Sequence, residues 1–418
     1  MPSSQADGAP TAVDQSAVPA GEVVKEDVVK EDVVKDAVVK EDVAKEDVVK
    51  EDVVKDDWRM SARIAELAKR VEHERDLASA HLELSVQLYA SSRFTESRDQ
   101  IDWSLREASE CLRIEPRAHP CALARARAEI ALALFDRARA DALYAREGGA
   151  DDVEVTLVLA EVDWAEGKYA EATNAIRTIA EQQPTPEHMV RRAQLEDDLG
   201  HYPFAEHLLT RAAEALGDAD PARQAWIGAL RGAHCRRVGR LQAAELMLRR
   251  ALTRAPGLPF ALAELARTLT ARQDTREATR VYRQLIATTN DPEYIGELAS
   301  LQRARGNAEQ ADALDGEARR LFEEGLAHYP EALRLPAARF YLAEERDVAR
   351  ALALLAGGGA RFRSSDELEM AARAHLAAGR LADAEEAIHG ALALAPVSLQ
   401  VLRTAETTYR MLAELTQP

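Results

Sequence analysis

A pair of small residues, twelve positions apart, recurs along most of this chain. In the clearest copy the pair is Ala372 and Ala384, with Gly379 between them. Small residues let two helices cross closely, whereas a leucine would hold them apart. Gly379 suits a left-handed backbone position at the end of one helix, and Pro396 suits the end of the next. The stretch 365–398 therefore predicts two amphipathic helices joined by a tight turn.

The same pair recurs in one frame, and most copies are 33 or 34 residues apart. The other pairs are Ser85/Ser97, Ala126/Ala138, Ala160/Ala172, Ala193/Ala205, Gly232/Ala244, Ala266/Ala278 and Ala299/Ala311. The stretch 334–363 lacks the frame, because Arg339 occupies its first small position, so it is either a degenerate copy or a hinge. Since each copy packs on its neighbours, the sequence predicts one continuous array.

This pattern resembles the tetratricopeptide repeat, a helix–turn–helix unit of about 34 residues. The resemblance covers residues 78–398. It implies an all-α fold, a right-handed superhelical solenoid of about nine helix pairs. We expect a leading or capping helix at 58–77 and a C-terminal capping helix at 399–418, because terminal units must cover their outward apolar face.

Residues 1–57 have a different composition. They hold 16 acidic residues and 7 lysines, in a chain of formal charge −18. From Val23 to Asp57 the motif Val-Val-Lys-Glu-Asp repeats in varied copies. With a five-residue period, the valines share no single face on a helix and no single face on a strand. We therefore predict a disordered, acidic, low-complexity head: either a solvated tail or a segment that orders on a basic partner.

The sequence carries no motif that indicates catalysis, a metal or a cofactor. It has no HExxH, P-loop, GxGxxG or GxSxG pattern, so we predict no enzyme activity and no cofactor. The acidic balance disfavours nucleic acid, and the longest apolar run is too short to insert in a membrane. Without an apolar signal core the expected location is the cytoplasm. Cys111, Cys121 and Cys235 are predicted to be small buried residues without a disulfide framework.

In the resembled family, partner peptides bind a concave groove lined by the first helix of each unit. Carried onto this chain by position in the unit, the resemblance implies a groove whose charge changes from acidic to basic along the array. Its residues are Glu154, Leu157, Glu161, Trp164, Trp226, Arg236, Arg237, Phe260, Arg267, Arg303 and Arg373. The family's chaperone-tail clamp is not implied, because Leu157 and Glu161 stand where it needs lysine and asparagine.

The sequence thus predicts a non-catalytic scaffold or adaptor that binds a protein or peptide segment, and an acidic segment fits the basic half of the groove. The alternative is a chaperone-like or regulatory protein that sequesters a partner, with the head as a gate or a nucleic-acid mimic. A gate would pair the head with the basic groove residues. A third hypothesis is an accessory repeat of an enzyme. The partner's identity and the oligomeric state stay open.

Overall fold

The computed structural model describes residues 58–217, 220–357, 364–394 and 399–416, and the predicted head at 1–57 and the predicted stop at Pro396 lie outside them. In this part the chain forms twenty α-helices and no strand. The helices are α1 Trp58–His73, α2 Ala78–Thr95, α3 Arg98–Ile114, α4 His119–Ala131, α5 Phe135–Glu147, α6 Asp152–Ala165, α7 Tyr169–Gln182, α8 Pro186–Asp198, α9 Tyr202–Leu216, α10 Pro221–Arg237, α11 Leu241–Arg254, α12 Pro259–Ala271, α13 Thr275–Thr289, α14 Pro292–Ala304, α15 Ala308–His328, α16 Pro330–Leu342, α17 Val348–Ala356, α18 Ser365–Ala377, α19 Leu381–Ala393 and α20 Leu399–Thr416.

Between α1 and α20 the described helices form nine consecutive pairs, which we number units one to nine. Each pair has an even-numbered first helix and an odd-numbered second helix, and each unit packs on the next. The short turns within pairs make the two helices antiparallel. The predicted all-α array of helix pairs is confirmed.

The turn inside most units ends its first helix in the same way. In the turn between α18 and α19, Gly379 has a φ of +70° and the Arg380 N–H donates to the His375 carbonyl at 2.9 Å. A residue with left-handed backbone angles turns the chain at this point. The backbone N–H groups that follow can then donate to the carbonyls at the helix end. Units two and six use Ala133 and Gln273 at this position, with φ of +58° and +64°.

The small residues of the frame lie where the two helices of a unit cross. Seven of the eight predicted first positions are alanine or glycine, and the partner alanines on the second helices are fully buried. At Gly232 the approach is closest, because an added Cβ would lie 2.5 Å from the Leu248 Cγ and 3.3 Å from the Ala244 carbonyl oxygen. Close crossing at these positions is therefore the packing rule of the array.

The predicted pair in unit one is wrong. Ser97 is not a crossing residue but caps the start of α3, where its Oγ accepts from the Gln100 N–H at 3.3 Å. The residue that faces Ser85 is Ser104, whose Oγ donates to the Ser85 carbonyl at 2.8 Å. The reason is the length of α2, which at 18 residues continues beyond the ordinary end of a first helix.

Unit eight is a degenerate helix pair. Arg339 occupies the frame position, while Ala338 of the first helix and Ala351 of the second helix are fully buried in one apolar cluster. A 3₁₀ turn at Ala343–Glu345 joins its two helices. Arg346 follows this turn, is buried, and donates to the Asp315 Oδ1 at 2.8 Å and the Ser300 Oγ at 2.8 Å. Of the two alternatives left by the sequence, the degenerate copy is therefore the one observed.

Two of the three cysteines depart from the sequence-based expectation. Cys111, near the end of α3, and Cys121, near the start of α4, form a disulfide that closes a ten-residue separation, and both are buried. Cys235 is a free, buried thiol, and burial raises its pKa. The sequence carries no paired-cysteine motif. The two cysteines meet because the folded turn between α3 and α4 brings these helix ends together.

We expect Ala244→Leu to lower the free energy of unfolding by about 1–3 kcal/mol, because a larger side chain overpacks the crossing with Gly232. The matched control is Ala215→Leu, at an exposed position of α9, which should stay within about 0.5 kcal/mol of the wild type. Urea unfolding followed by circular dichroism measures both variants. Equal midpoints for the two variants would contradict the repeat frame.

We also expect a reductant to lower the free energy of unfolding by about 2–3 kcal/mol, the chain-entropy value for a loop of this size. Equilibrium unfolding with and without dithiothreitol measures the change. Cys111→Ala serves as the control, since its stability should not respond to the reductant. Three titratable thiols in the unfolded, unreduced chain would rule out the Cys111–Cys121 bond.

Candidate protein-binding surface

The first helices of units one to five surround a cavity of about 750 Å³, which we name cavity A. Helices α2, α4, α6, α8 and α10 supply most of its walls. Five of the predicted groove residues line cavity A. They are Glu154, Leu157, Glu161, Trp164 and Trp226. Five of the eleven predicted groove residues therefore share one space, and whether they bind a partner stays a prediction.

A second space of about 940 Å³, cavity B, is lined by residues of units two to five, units eight and nine, and α20. Trp164 lines this cavity as well, together with the predicted residues Arg236 and Arg237. Tyr169 and Tyr202 add two further aromatic side chains. The rings of Trp164 and Tyr169 meet edge to face with their centres 4.5 Å apart.

Unit one, which supplies part of the wall of cavity A, also contacts units six and seven. Arg98 donates to the Asp291 Oδ2 at 2.7 Å, and the Tyr294 hydroxyl donates to the Glu96 Oε2 at 2.6 Å. Phe94 packs against the apolar cluster that fills units five to seven. Burial raises the pKa of Glu96. These contacts join residues almost two hundred positions apart, so no local pattern in the sequence predicts them.

Cavity B depends on a second contact of the same kind. The backbone N–H of Ser365, at the start of α18, donates to the Tyr169 hydroxyl of α7 at 2.7 Å. Burial is the main cause that raises the pKa of Tyr169. Both contacts join units that are six apart in the array.

Charged side chains on the first helices pair across neighbouring units. We name these pairs the inner ion pairs, and each joins an arginine to a carboxylate of an adjacent first helix. They are Arg127–Glu154, Arg191–Glu161, Arg223–Glu187, Arg237–Asp197, Arg236–Glu264, Arg267–Glu297, Arg339–Glu293 and Arg334–Glu367. Together they connect every first helix from α4 to α18 to the next one.

Four of the five arginines of the predicted groove each pair with a carboxylate of another helix. Arg236 contacts Glu264 at 2.7 Å, and Arg237 contacts Asp197 at 2.8 Å. Arg267 contacts Glu297 at 2.6 Å and Arg303 contacts Glu344 at 2.6 Å. Carboxylates that the resemblance did not predict therefore neutralise these arginines locally. They offset the predicted change of charge from acidic to basic along the groove. Whether any of these residues binds a partner stays a prediction.

The remaining predicted residues lie away from the two cavities. Phe260, on α12, is partly buried against the apolar clusters of units four to six. Arg373, on α18, lies 3.9 Å from Glu369 of the same helix. Arg303 approaches Asp312 and Asp315 of α15 in its own unit.

The described residues offer little that indicates chemistry or membrane insertion. No group of three or more metal-ligating side chains occurs among them, and no helix there is long and apolar enough to cross a bilayer. His234 is buried, and its Nδ1 lies 2.8 Å from the Asp197 Oδ1. That carboxylate also contacts Arg237, so the histidine belongs to the bracing between α8 and α10.

Neither a protein-family model nor a curated protein matches this chain. Solved structures do match in fold. A tetratricopeptide repeat protein from Parabacteroides merdae is 14% identical over 60% of this chain and 96% of its own, with a TM-score of 0.41. The human IFIT1 dimer with PPP-AAAA is 16% identical over 87% of each chain, with a TM-score of 0.47. MamA from Desulfovibrio magneticus is 13% identical over 42% of this chain and 97% of its own, with a TM-score of 0.34.

Identities this low bear on the fold alone. The chain is similar to proteins built from tetratricopeptide repeats, as the spacing of its small residues predicted. The helix-pair architecture that the resemblance implies is seen directly in the packed pairs of the described residues.

We expect single substitutions in the buried inner ion pair Arg334–Glu367 to cost about 3–5 kcal/mol, because each leaves an uncompensated charge. These side chains are 12% and 7% exposed. The double substitution Arg334→Met with Glu367→Gln should recover most of the loss. The exposed pair Arg223–Glu187, at 52% and 50%, is the control, and its single variants should lose no more than about 1 kcal/mol. Additive effects in the buried pair would contradict its role.

Proposed function

We propose that this chain is a non-catalytic scaffold that binds a segment of another protein on the inner surface of its helix array. The observation that supports this most is the position of Trp164, a half-buried aromatic side chain on the walls of both cavities. Aromatic side chains supply large contact areas at protein interfaces and are enriched in their energetic centres. Trp226 gives cavity A a second such side chain.

The bracing of the array supports the same function. Because the inner ion pairs connect successive first helices, the walls of the cavities are held in a fixed arrangement. A surface organised before binding loses less conformational entropy when a partner docks. An extended or helical segment of a few residues fits spaces of this size, whereas a folded domain does not.

The finer predictions about the partner and the location remain proposals. We propose an acidic partner segment. Because four groove arginines are already paired with carboxylates, other cations have to recognise it. A cytoplasmic location is also a prediction, and the Cys111–Cys121 bond is an observation against it, because disulfides persist mainly in oxidising compartments.

The test is site-specific photo-crosslinking of the full chain in a native extract. A photoreactive residue at Trp164 or Trp226 should yield defined adducts with other proteins. The matched control carries it at Leu246, an exposed apolar residue of α11 that lines neither cavity, and should yield none of these adducts. One or two adducts support an adaptor, whereas a broad range of unfolded proteins supports the chaperone-like alternative. Equal adducts at the inner and control positions would refute binding at the inner surface.

A further inference from the structure

Cavity A holds one guanidinium group that the inner ion pairs leave without a carboxylate. Arg127, Arg191 and Arg223 each pair with a glutamate of the neighbouring unit. Arg93, on α2, has no carboxylate oxygen within 4.0 Å among the described residues. Its guanidinium carbon lies instead over the ring of Trp226, 5.0 Å from the ring centre.

The carboxylates of Glu154 and Glu161 in this cavity are already paired with Arg127 and Arg191. Burial is the largest cause that lowers the pKa of Arg191, and the positive charges of Arg93 and Arg127 lower it further, although Tyr89 and Glu154 act in the opposite direction. Arg93, Arg127 and Arg191 all line this cavity. A single added anion would be stabilised there by charge complementarity.

Apolar and aromatic side chains line the same cavity. Tyr89, four residues before Arg93 on α2, and Phe94, the residue after it, line the cavity, as do Leu157 of α6 and Val190 of α8. Trp226 provides a ring face that the Arg93 guanidinium now covers. A ligand that engaged Arg93 would free this face for an apolar contact.

We propose that cavity A binds a peptide segment in which one acidic side chain lies beside a bulky apolar side chain. The inference rests on the proposed function and specifies its partner. Arg93 pairs with the ligand carboxylate through two parallel N–H···O bonds. Trp226 then packs on the apolar neighbour, and the paired glutamates keep the other arginines in place.

The charge distribution favours a peptide over a nucleic acid. Glu154, Glu161, Glu187 and Asp198 line the same cavity. A polynucleotide places a phosphate at every residue and would bring several of them against these carboxylates. A segment with one carboxylate meets the single uncompensated cation without that repulsion.

The experiment begins with selection of a random peptide display library on the full chain. We expect the enriched peptides to carry aspartate or glutamate next to leucine, isoleucine, phenylalanine or tryptophan. The affinity of one such peptide is then measured by fluorescence anisotropy. Arg93→Gln should weaken binding at least about tenfold, as expected for a charge-assisted pair, and Trp226→Ala should also weaken it. Arg113→Gln, at an exposed position of α3 outside the cavity, is the matched control and should bind like the wild type.

A second measurement leaves the protein unchanged. Replacing the acid of the peptide by its amide should cost as much affinity as Arg93→Gln, and the two changes together should cost no more than either alone. Independent effects would overturn the assigned pair. Peptides that bind at Trp164 and Trp226 without any acidic preference would overturn this inference but leave the scaffold function intact. If no peptide binds at the inner surface, the scaffold function itself fails, and tighter binding of a single-stranded RNA would refute the assignment to peptides.

Discussion

The close crossing of two helices at small residues is the constraint on which the rest of this structure depends. Where Gly232 meets Leu248 there is no room for even one added methyl group. Because each unit is held at such a crossing, its first helix presents a fixed face to the next unit. Repetition of that geometry places the first helices side by side, and their inward-facing side chains form the walls of both cavities. In the degenerate unit eight, Ala338 and Ala351 are instead buried together in one apolar cluster.

Contacts between early and late units bring distant parts of the described array together. Phe94 and Glu96 of unit one contact units six and seven, and Tyr169 of unit three contacts unit nine. The walls of cavity B come from both early and late units, whereas those of cavity A come from units one to five.

The inner ion pairs give the charged residues of this surface two separate roles. Most arginines brace adjacent first helices, and their charge is met by a carboxylate of the next unit. Arg93 differs because it lies over an aromatic ring, and that difference makes it the candidate for recognising a partner. A surface that is rich in arginine thus need not be a basic surface. The location of the unpaired cation matters more than the number of cations.

The sequence by itself determined the class of fold and the frame of the repeat. The spacing of Ala244, Ala278 and similar residues fixed which positions cross, since helical geometry relates sequence spacing directly to helix faces. The resemblance to tetratricopeptide repeats further predicted Leu157, Trp164 and Trp226 as groove residues, and all three line cavity A. Only the tertiary structure decided which of these share a cavity, that Ser104 rather than Ser97 faces Ser85, that Cys111 meets Cys121, and that the arginines of the expected basic half are paired. The reason is physical: helical periodicity acts over a few residues, whereas ion pairs and the contacts between units six apart depend on how the whole array packs.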